Sequence, residues 1–375
     1  MDNQKFLILS CDGGGIRGVV TTMLLQELGQ DFLNQVNFFA GTSTGGIIAL
    51  GLAGGIQIDQ LADLYRNQQK CNTIFPSSST ATLAQDKKDQ LRAAFSKASL
   101  EAGAGSNNDI WRYLGLLEQI IAELIGPSYS NAGRKEVLKE YLSAGTLASL
   151  KSKALVTTFE LNGTNSDGQA QWLATTLHNL PNLPNSDSND TLTLDAAMCT
   201  SSAPLYFPPY QLPSGTLCID GGVFANNPST VALGAALASG IMGSTNLSNA
   251  YLLSVGTGAN VSSFPYTGTN PTSEILAAIP YGILGWLWPE SEDPVPPFPL
   301  LDVMFDGTSE INDSVTGMLL PSDNYRRANV SLRESHIALD DCSKIDALVS
   351  KTQHYIKHNE QWQGVVSWVK TNFGS

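Results

Sequence analysis

The most reactive side chain that the sequence presents is Ser43, within Gly41-Thr42-Ser43-Thr44-Gly45. This segment fits the pattern GxSxG, and it lies between a short apolar run that is typical of a buried strand and an apolar helix. Small residues let the backbone turn sharply there, so that the hydroxyl projects at the helix N-terminus, where the dipole favours developing negative charge. We therefore predict that Ser43 is a nucleophile.

A glycine-rich segment, Asp12-Gly13-Gly14-Gly15-Ile16-Arg17-Gly18, follows the first predicted strand. Its consecutive glycines expose backbone N–H groups, as in an anion-binding loop. The segment also satisfies the dinucleotide pattern GxGxxG, but that pattern requires an acidic residue at the end of the second strand, where this sequence has the Ser43 turn. We predict an oxyanion hole formed by Gly13, Gly14 and Gly15. Arg17 either orients this loop or contacts an anionic head group, and we favour the first role.

Asp220 is the candidate general base. It follows the short apolar run 217–219 and precedes a glycine pair and a helix that begins near Pro228. An aspartate in a turn is commonly structural, so this motif indicates a general base only in combination with the Ser43 motif. None of the histidines, His178, His336, His354 and His358, lies in a comparable motif.

No metal site or cofactor is predicted. His354 and His358 are one helical turn apart, but the sequence between them lacks the glutamate of HExxH and a third ligand, so a solvated helix face explains them better. The five cysteines are odd in number and scattered, without a CxxC pair. They predict buried thiols rather than disulfides or a zinc site.

Strands and helices alternate along the chain, which predicts an α/β fold. Apolar runs predict strands at 6–10, 36–40, 154–160 and 250–255, and helical spacing predicts helices at 18–28, 47–53, 109–125 and 228–238. The tail from 342 to 369 is also predicted to be helical. Ser43 and the glycine segment each lie between a strand and the following helix.

Composition narrows the class of protein. With 21 Lys and Arg against 34 Asp and Glu, the net charge of -13 disfavours nucleic acid and anionic lipid surfaces as partners. No signal peptide or membrane span is apparent, which predicts a cytoplasmic protein. One apolar and aromatic segment, 275–289, is a candidate for peripheral membrane contact, although a buried lid or a dimer contact would explain it equally well.

Four blocks in order carry a resemblance: DGGGIRG, GTSTGG, the block at 200–208 and DGGVFANNP. The chain resembles the patatin-like lipid acyl hydrolases along nearly all of its length. The resemblance implies a single domain over 1–375 with a three-layer α/β fold, a mostly parallel central sheet and helices on both faces. Irregular insertions are expected near 80–108 and 262–299, which match no motif.

The resemblance also implies a mechanism. Asp220 would accept the proton of Ser43 as the hydroxyl attacks an ester of a phospholipid or galactolipid, without histidine, metal or cofactor, and an acyl-enzyme would follow. Two other hypotheses remain open. One is an α/β hydrolase with a Ser-Asp-His triad that includes His336. The other is a non-catalytic nucleotide- or phosphate-binding protein that uses the loop from Gly13 to Gly18.

Overall fold

The structure is a computed structural model that describes residues 5–76, 127–142, 145–183, 189–243, 246–260, 299–332 and 337–374. Four features of the sequence analysis lie outside these residues: the helix expected at 109–125, nearly all of the two insertions, the segment 275–289 and His336.

The described residues contain an eight-stranded sheet. The strands are β1 (Phe6–Cys11), β2 (Phe38–Gly41), β3 (Lys153–Thr164), β4 (Ala170–His178), β5 (Tyr210–Gln211), β6 (Leu217–Asp220), β7 (Ala250–Val255) and β8 (Tyr325–Ala328). Their order is β5-β6-β3-β2-β1-β7-β8, and β4 pairs with the edge of β3 opposite to the one that pairs with β2 and β6. Five neighbouring strands, β3, β2, β1, β7 and β8, are parallel to one another. The strands β4 and β6 pair with β3 in the antiparallel sense, and β5 pairs with β6 in the same sense. The predicted mostly parallel sheet is confirmed.

Helices follow most of the strands. They are α1 (Gly18–Leu28), α2 (Gln30–Leu33), α3 (Thr44–Gly54), α4 (Ile58–Arg66), α5 (Gln68–Ile74), α6 (Asn131–Leu142), α7 (Thr193–Thr200), α8 (Gly222–Ala225), α9 (Ser229–Ser239), α10 (Pro299–Leu319), α11 (Ile345–His358) and α12 (Glu360–Phe373). The helical tail is confirmed as α11 and α12. The helix expected from Pro228 begins one residue later, with Pro228 at its N-cap.

Helices cover both faces of the sheet, as the alternation of side chains along the strands shows. In β1, Leu7 and Leu9 belong to one hydrophobic cluster with α1, α3, α11 and α12, whereas Ile8 belongs to a second cluster with α9. Successive side chains of a strand point to opposite faces, so each face of this sheet has its own core. This is the predicted three-layer arrangement.

The prediction that all five cysteines are free thiols is wrong. Cys71 at α5 and Cys342 form a disulfide across a sequence separation of 271, while Cys11, Cys199 and Cys218 are free and buried. Cysteine spacing carries no signal for this bond, because the two partners come from distant segments that meet only when α5 packs beside the turn at 342–344. The cytoplasmic location stays a prediction of the sequence.

Across the described ranges, we find no helix with the length and apolar character needed to cross a membrane.

We predict that the disulfide contributes to stability by restricting the unfolded chain. A cross-link over so long a loop is expected to contribute about 2–5 kcal/mol, so 5 mM dithiothreitol should lower the melting temperature of the wild type. The variant Cys71→Ser/Cys342→Ser should melt at that lower temperature whether or not the reductant is present. Thiol titration of the denatured, unreduced chain should find three thiols among the five cysteines. A count of five would show that the bond does not form.

Candidate active site

Ser43 occupies a sharp turn between β2 and α3. Its backbone has φ 54° and ψ -124°, a left-handed conformation that is uncommon for a residue with a side chain. The flanking glycines permit the turn, since a Cβ on Gly41 would lie 2.1 Å from the carbonyl oxygen of Gly45, and one on Gly45 would lie 2.1 Å from that of Cys11. Ser43 is half-buried and caps the N-terminus of α3. The turn therefore has the geometry of a nucleophile elbow.

Asp220 reaches the same place through β3. One edge of β3 pairs first with β2, where Gly41 is opposite Val156, and two residues later with β6, where Asp220 is opposite Thr158. Thr157, between these two positions, lies 2.7 Å from the Thr42 hydroxyl. The ends of β2 and β6 thus meet along one edge, so the structure brings together the two residues proposed as nucleophile and base.

The Asp220 carboxyl is buried, with 1% of the residue exposed. Its Oδ1 accepts a hydrogen bond of 2.8 Å from the Gly222 N–H. Burial raises the pKa of Asp220 to about 6, although the Ser43 hydroxyl, the Gly222 N–H and the Arg134 charge each act to lower it. The approach of Ser43 falls short of a well-formed hydrogen bond, and Oδ2 has no partner among the described residues. Such contacts often tighten only when substrate binds.

The glycine loop is held by its carbonyl groups. The Gly13 carbonyl accepts from Thr257 at 2.7 Å, the Gly14 carbonyl from Arg17 Nε at 3.4 Å and the Gly15 carbonyl from Thr44 at 2.6 Å. In a trans peptide the N–H points opposite to the preceding carbonyl. The N–H groups of Gly14 and Gly15 therefore point away from these anchors, and no acceptor for either is found within the described residues.

Gly13 differs from its two neighbours. Its N–H donates to the carbonyl of Asn226 at 3.0 Å, so it is already used within the protein. Of the three predicted oxyanion donors, Gly14 and Gly15 remain available. The contact of Arg17 with the Gly14 carbonyl supports the role in loop orientation that we favoured for this residue.

A buried ion pair fixes the start of the loop. Arg327 on β8 donates to both carboxylate oxygens of Asp12, at 2.9 and 2.5 Å, and to the Ser254 hydroxyl on β7 at 2.7 Å. This two-pronged contact ties the ends of three adjacent parallel strands together. Losing one member of such a pair leaves a buried charge uncompensated, which makes the pair essential to the loop.

A cavity opens beside Ser43. Gly14, Gly15 and Ser43 form one part of its wall. The rest is mainly apolar and includes Ile47, Leu64, Ile74, Phe75, Leu138, Phe207, Phe305 and Leu339. Asp220 is not part of the lining, so the hydroxyl faces the cavity while the carboxyl lies behind it.

The histidines do not contribute to this cavity in the part of the chain that the structure describes. His178 ends β4, where its Nδ1 accepts from the Leu180 N–H, and His354 and His358 are exposed on α11 with ring centres 4.7 Å apart. Within the same residues no three metal-ligating side chains are grouped as a metal site.

Several residues that shape the site were not assigned roles by the sequence. Thr200 Oγ accepts from the Ser43 N–H at 2.9 Å, and Thr257 and Arg327 anchor the glycine loop. Arg134, on α6, is buried in the cavity wall. No motif in the sequence around Arg134 indicated this position.

Comparisons with known proteins agree on one family. The sequence pattern described as Patatin-like phospholipase matches residues 9–233. A cGAMP-activated phospholipase of Vibrio cholerae is 29% identical over 240 residues, which cover 60% of this chain and 56% of that protein. Patatin-like protein 1 of Arabidopsis thaliana is 24% identical over 89% of this chain and 76% of its own. The chain spans about half the length of the cGAMP-activated relatives.

Among solved structures, VipD from Legionella pneumophila aligns with 94% of this chain and 67% of its own, with a TM-score of 0.34 and 14% identity.

We predict that the buried Asp220 carboxylate lowers the stability of the folded protein. Because its folded pKa of about 6 lies above the unfolded value of 3.8, the folded state loses stability as pH rises between these values, and the loss is complete above them. Asp220→Asn, which keeps the acceptor for Gly222, should therefore stabilise the protein by about 3 kcal/mol at pH 8 and about half as much at pH 5. Urea unfolding at both pH values measures this, with the exposed Asp167→Asn as control. A less stable Asp220→Asn at pH 8 would contradict the argument.

Proposed function

Since the chain belongs to the patatin-like phospholipase family, we propose that it is a lipid acyl hydrolase of the phospholipase A type that cleaves fatty acyl esters of membrane glycerolipids with Ser43 and Asp220. The observation that carries the proposal is the elbow serine, which lines a mainly apolar cavity and lies beside the buried Asp220 carboxyl. A hydroxyl needs a base to become a nucleophile, and a carboxylate needs a desolvated site to be a sufficient base.

In the first half of the reaction, Asp220 accepts the proton as Ser43 Oγ attacks the ester carbonyl. A bond forms between Oγ and the carbonyl carbon, and the alcohol then leaves with a proton returned from Asp220. In the second half, water enters through the cavity and gives a proton to Asp220 as its oxygen attacks the acyl carbon. The bond between this carbon and Ser43 Oγ then breaks, Asp220 returns the proton to Oγ, and the fatty acid leaves.

The N–H groups of Gly14 and Gly15 stabilise the negative charge that develops on the carbonyl oxygen. Their anchoring through carbonyl contacts supports this role, because a preorganised donor needs no rearrangement at the moment of reaction. Removal of one such donor typically lowers kcat by about 10²–10³. Gly13 acts as the spacer that sets their position through its hydrogen bond to Asn226.

The apolar lining of the cavity supports a fatty acyl chain as the group that occupies it. The net charge of -13 disfavours electrostatic attraction to anionic bilayers, so we expect zwitterionic or galactolipid surfaces to be the better substrates. Peripheral contact through 275–289 stays a prediction of the sequence.

The two other hypotheses have less support. A Ser-Asp-His triad places a histidine next to the serine, whereas the carboxyl of Asp220 already occupies that position. A phosphate-binding loop would need several free N–H groups and a polar surrounding. Here the Gly13 N–H is engaged, and the adjoining cavity is mainly apolar apart from Arg134, whose hydrogen bonds are to protein groups.

We predict that Ser43→Ala and Asp220→Asn each lower kcat by at least ~10³, and that the double variant is hardly worse, because the residues of such a unit act together. The measurement is release of fatty acids from a panel of lipids, identified by mass spectrometry. Each assay is run with and without cGAMP, since relatives are named for activation by it. A fluorophosphonate probe should label Ser43 in the wild type, and full activity of either single variant would refute the mechanism.

We further predict an acid limb near pH 6 in kcat/KM for a soluble ester, because Asp220 must be ionised to act as the base and its pKa is about 6. Activity should fall tenfold for each pH unit below this value. Asp302 on α10 also has a pKa raised to about 7, by burial and by neighbouring Asp306 against the effect of Arg17. Asp302→Asn is therefore the control, and it should leave the limb near 6. If the acid limb disappears in Asp302→Asn, the limb belongs to Asp302 and the prediction for Asp220 is wrong.

A further inference from the structure

Arg134 is a buried cation at the back of the site. It lies on α6, and 2% of its surface is exposed. Its NH1 donates to the carbonyl oxygen and the hydroxyl of Ser201, and its NH2 donates to the Ser202 hydroxyl at 2.9 Å and to Asn131 at 2.7 Å. The guanidinium also stacks on the ring of Phe207, 4.1 Å from its centre. This is the contact set of a residue fixed in one orientation.

The turn that Arg134 holds, Thr200 to Ser202, touches both proposed members of the dyad. Thr200 Oγ accepts the Ser43 N–H at 2.9 Å, and the Ser202 carbonyl accepts the Asp220 N–H at 2.9 Å. The Ser201 and Ser202 hydroxyls also donate back to carbonyls of α7. One short turn thus sets the backbone of nucleophile and base together, and Arg134 binds its last two residues.

The charge of Arg134 has no carboxylate within ion-pair distance in the described ranges, which is unusual for so buried a guanidinium. Burial lowers the pKa of Arg134 to about 9, and Asp220 is the strongest of the groups that raise it, followed by Cys199 and Tyr210. Arg134 therefore stays charged at neutral pH. Burial raises the pKa of both Cys199 and Tyr210, so these two groups are neutral there.

Asp220 is consequently the anion that Arg134 faces, across Ser202, whose hydroxyl accepts from Arg134 and whose carbonyl accepts the Asp220 N–H. The groups that act on the Asp220 carboxyl are Ser43, the Gly222 N–H and Arg134, and Arg134 alone among them carries a charge. Asp195, close to the same cluster, accepts a hydrogen bond of 2.6 Å from Tyr210.

We propose that Arg134 is the positioning residue of the dyad: it fixes the Thr200–Ser202 turn, and through that turn both Ser43 and Asp220, and it supplies the buried positive charge that the Asp220 carboxylate faces. The inference rests on the proposed function, since it assigns a role within that reaction. Lysine cannot replace Arg134 in both respects. It keeps the charge, but it lacks the planar fork that contacts Ser201 and Ser202 together.

The test compares Arg134→Met, which removes charge and fork, with Arg134→Lys, which keeps the charge. The matched control is Lys135→Met, which removes a cation from the next position of α6, where Lys135 Nζ contacts the Tyr210 hydroxyl and not the turn. All proteins are assayed with p-nitrophenyl butyrate from pH 4.5 to 9, and their folding is checked by thermal unfolding. Wild-type protein must first label at Ser43 and hydrolyse the ester, because failure at that step refutes the proposed function and not the role of Arg134.

We expect the acid limb of kcat/KM in Arg134→Met to move up by about one pH unit or more, since an opposite charge near a carboxyl lowers its pKa by about 1–3 units. Arg134→Lys should keep the wild-type limb with kcat lowered about tenfold or more, and Lys135→Met should match the wild type. A folded Arg134→Met with an unmoved limb overturns the proposal. If Arg134→Met does not fold, Arg134→Lys decides: a lowered kcat with an unmoved limb supports the proposal, and wild-type kcat overturns it.

Discussion

The site depends on one edge of β3, which is long enough to pair with two strands in succession. β2 occupies the first part of this edge and β6 the second, so the loop that leaves β2 and the loop that leaves β6 must meet. Ser43 and Asp220, which are far apart in sequence, become neighbours through backbone pairing. The Thr200–Ser202 turn adds to this placement, since it accepts the backbone N–H of both residues.

The second physical constraint on the site is the desolvation of the Asp220 carboxyl. The carboxyl of Asp220 has been removed from water and given one firm hydrogen bond, from Gly222, so it keeps an oxygen free to take a proton. The left-handed conformation of Ser43 is a further local cost. Both are sustained by the surrounding sheet, the Asp12–Arg327 pair and the Thr200–Ser202 turn. The buried Asp220 carboxyl and the strained Ser43 backbone thus lower the stability of the folded state, and the surrounding contacts offset this loss.

The sequence predicted the features whose signal lies within a few consecutive residues. The GxSxG turn, the glycine loop and the DGG turn each carry their signal within a few residues, so Ser43, Asp220 and the strands beside them could be found from the sequence. Arg134, Thr257 and Arg327 could not, because their partners lie on other elements and their contacts exist only after the sheet has formed. The same holds for the Cys71–Cys342 disulfide. The short strands β5 and β8 were also missed, since they owe their form to a neighbouring strand and not to propensity.

The glycine loop has its anchors at the other end of the chain. It is made by residues 13–15, yet it is held by Thr257, Arg327 and the carbonyl of Leu339, which accepts the Ile16 N–H at 2.8 Å. During synthesis on the ribosome, the loop and Ser43 emerge long before these three residues, whereas Asp220 precedes Thr257 only shortly. A growing chain therefore contains the glycine loop and Ser43 before the contacts that hold the loop in place. The arrangement proposed for the active site can form only after residue 339 has been synthesised.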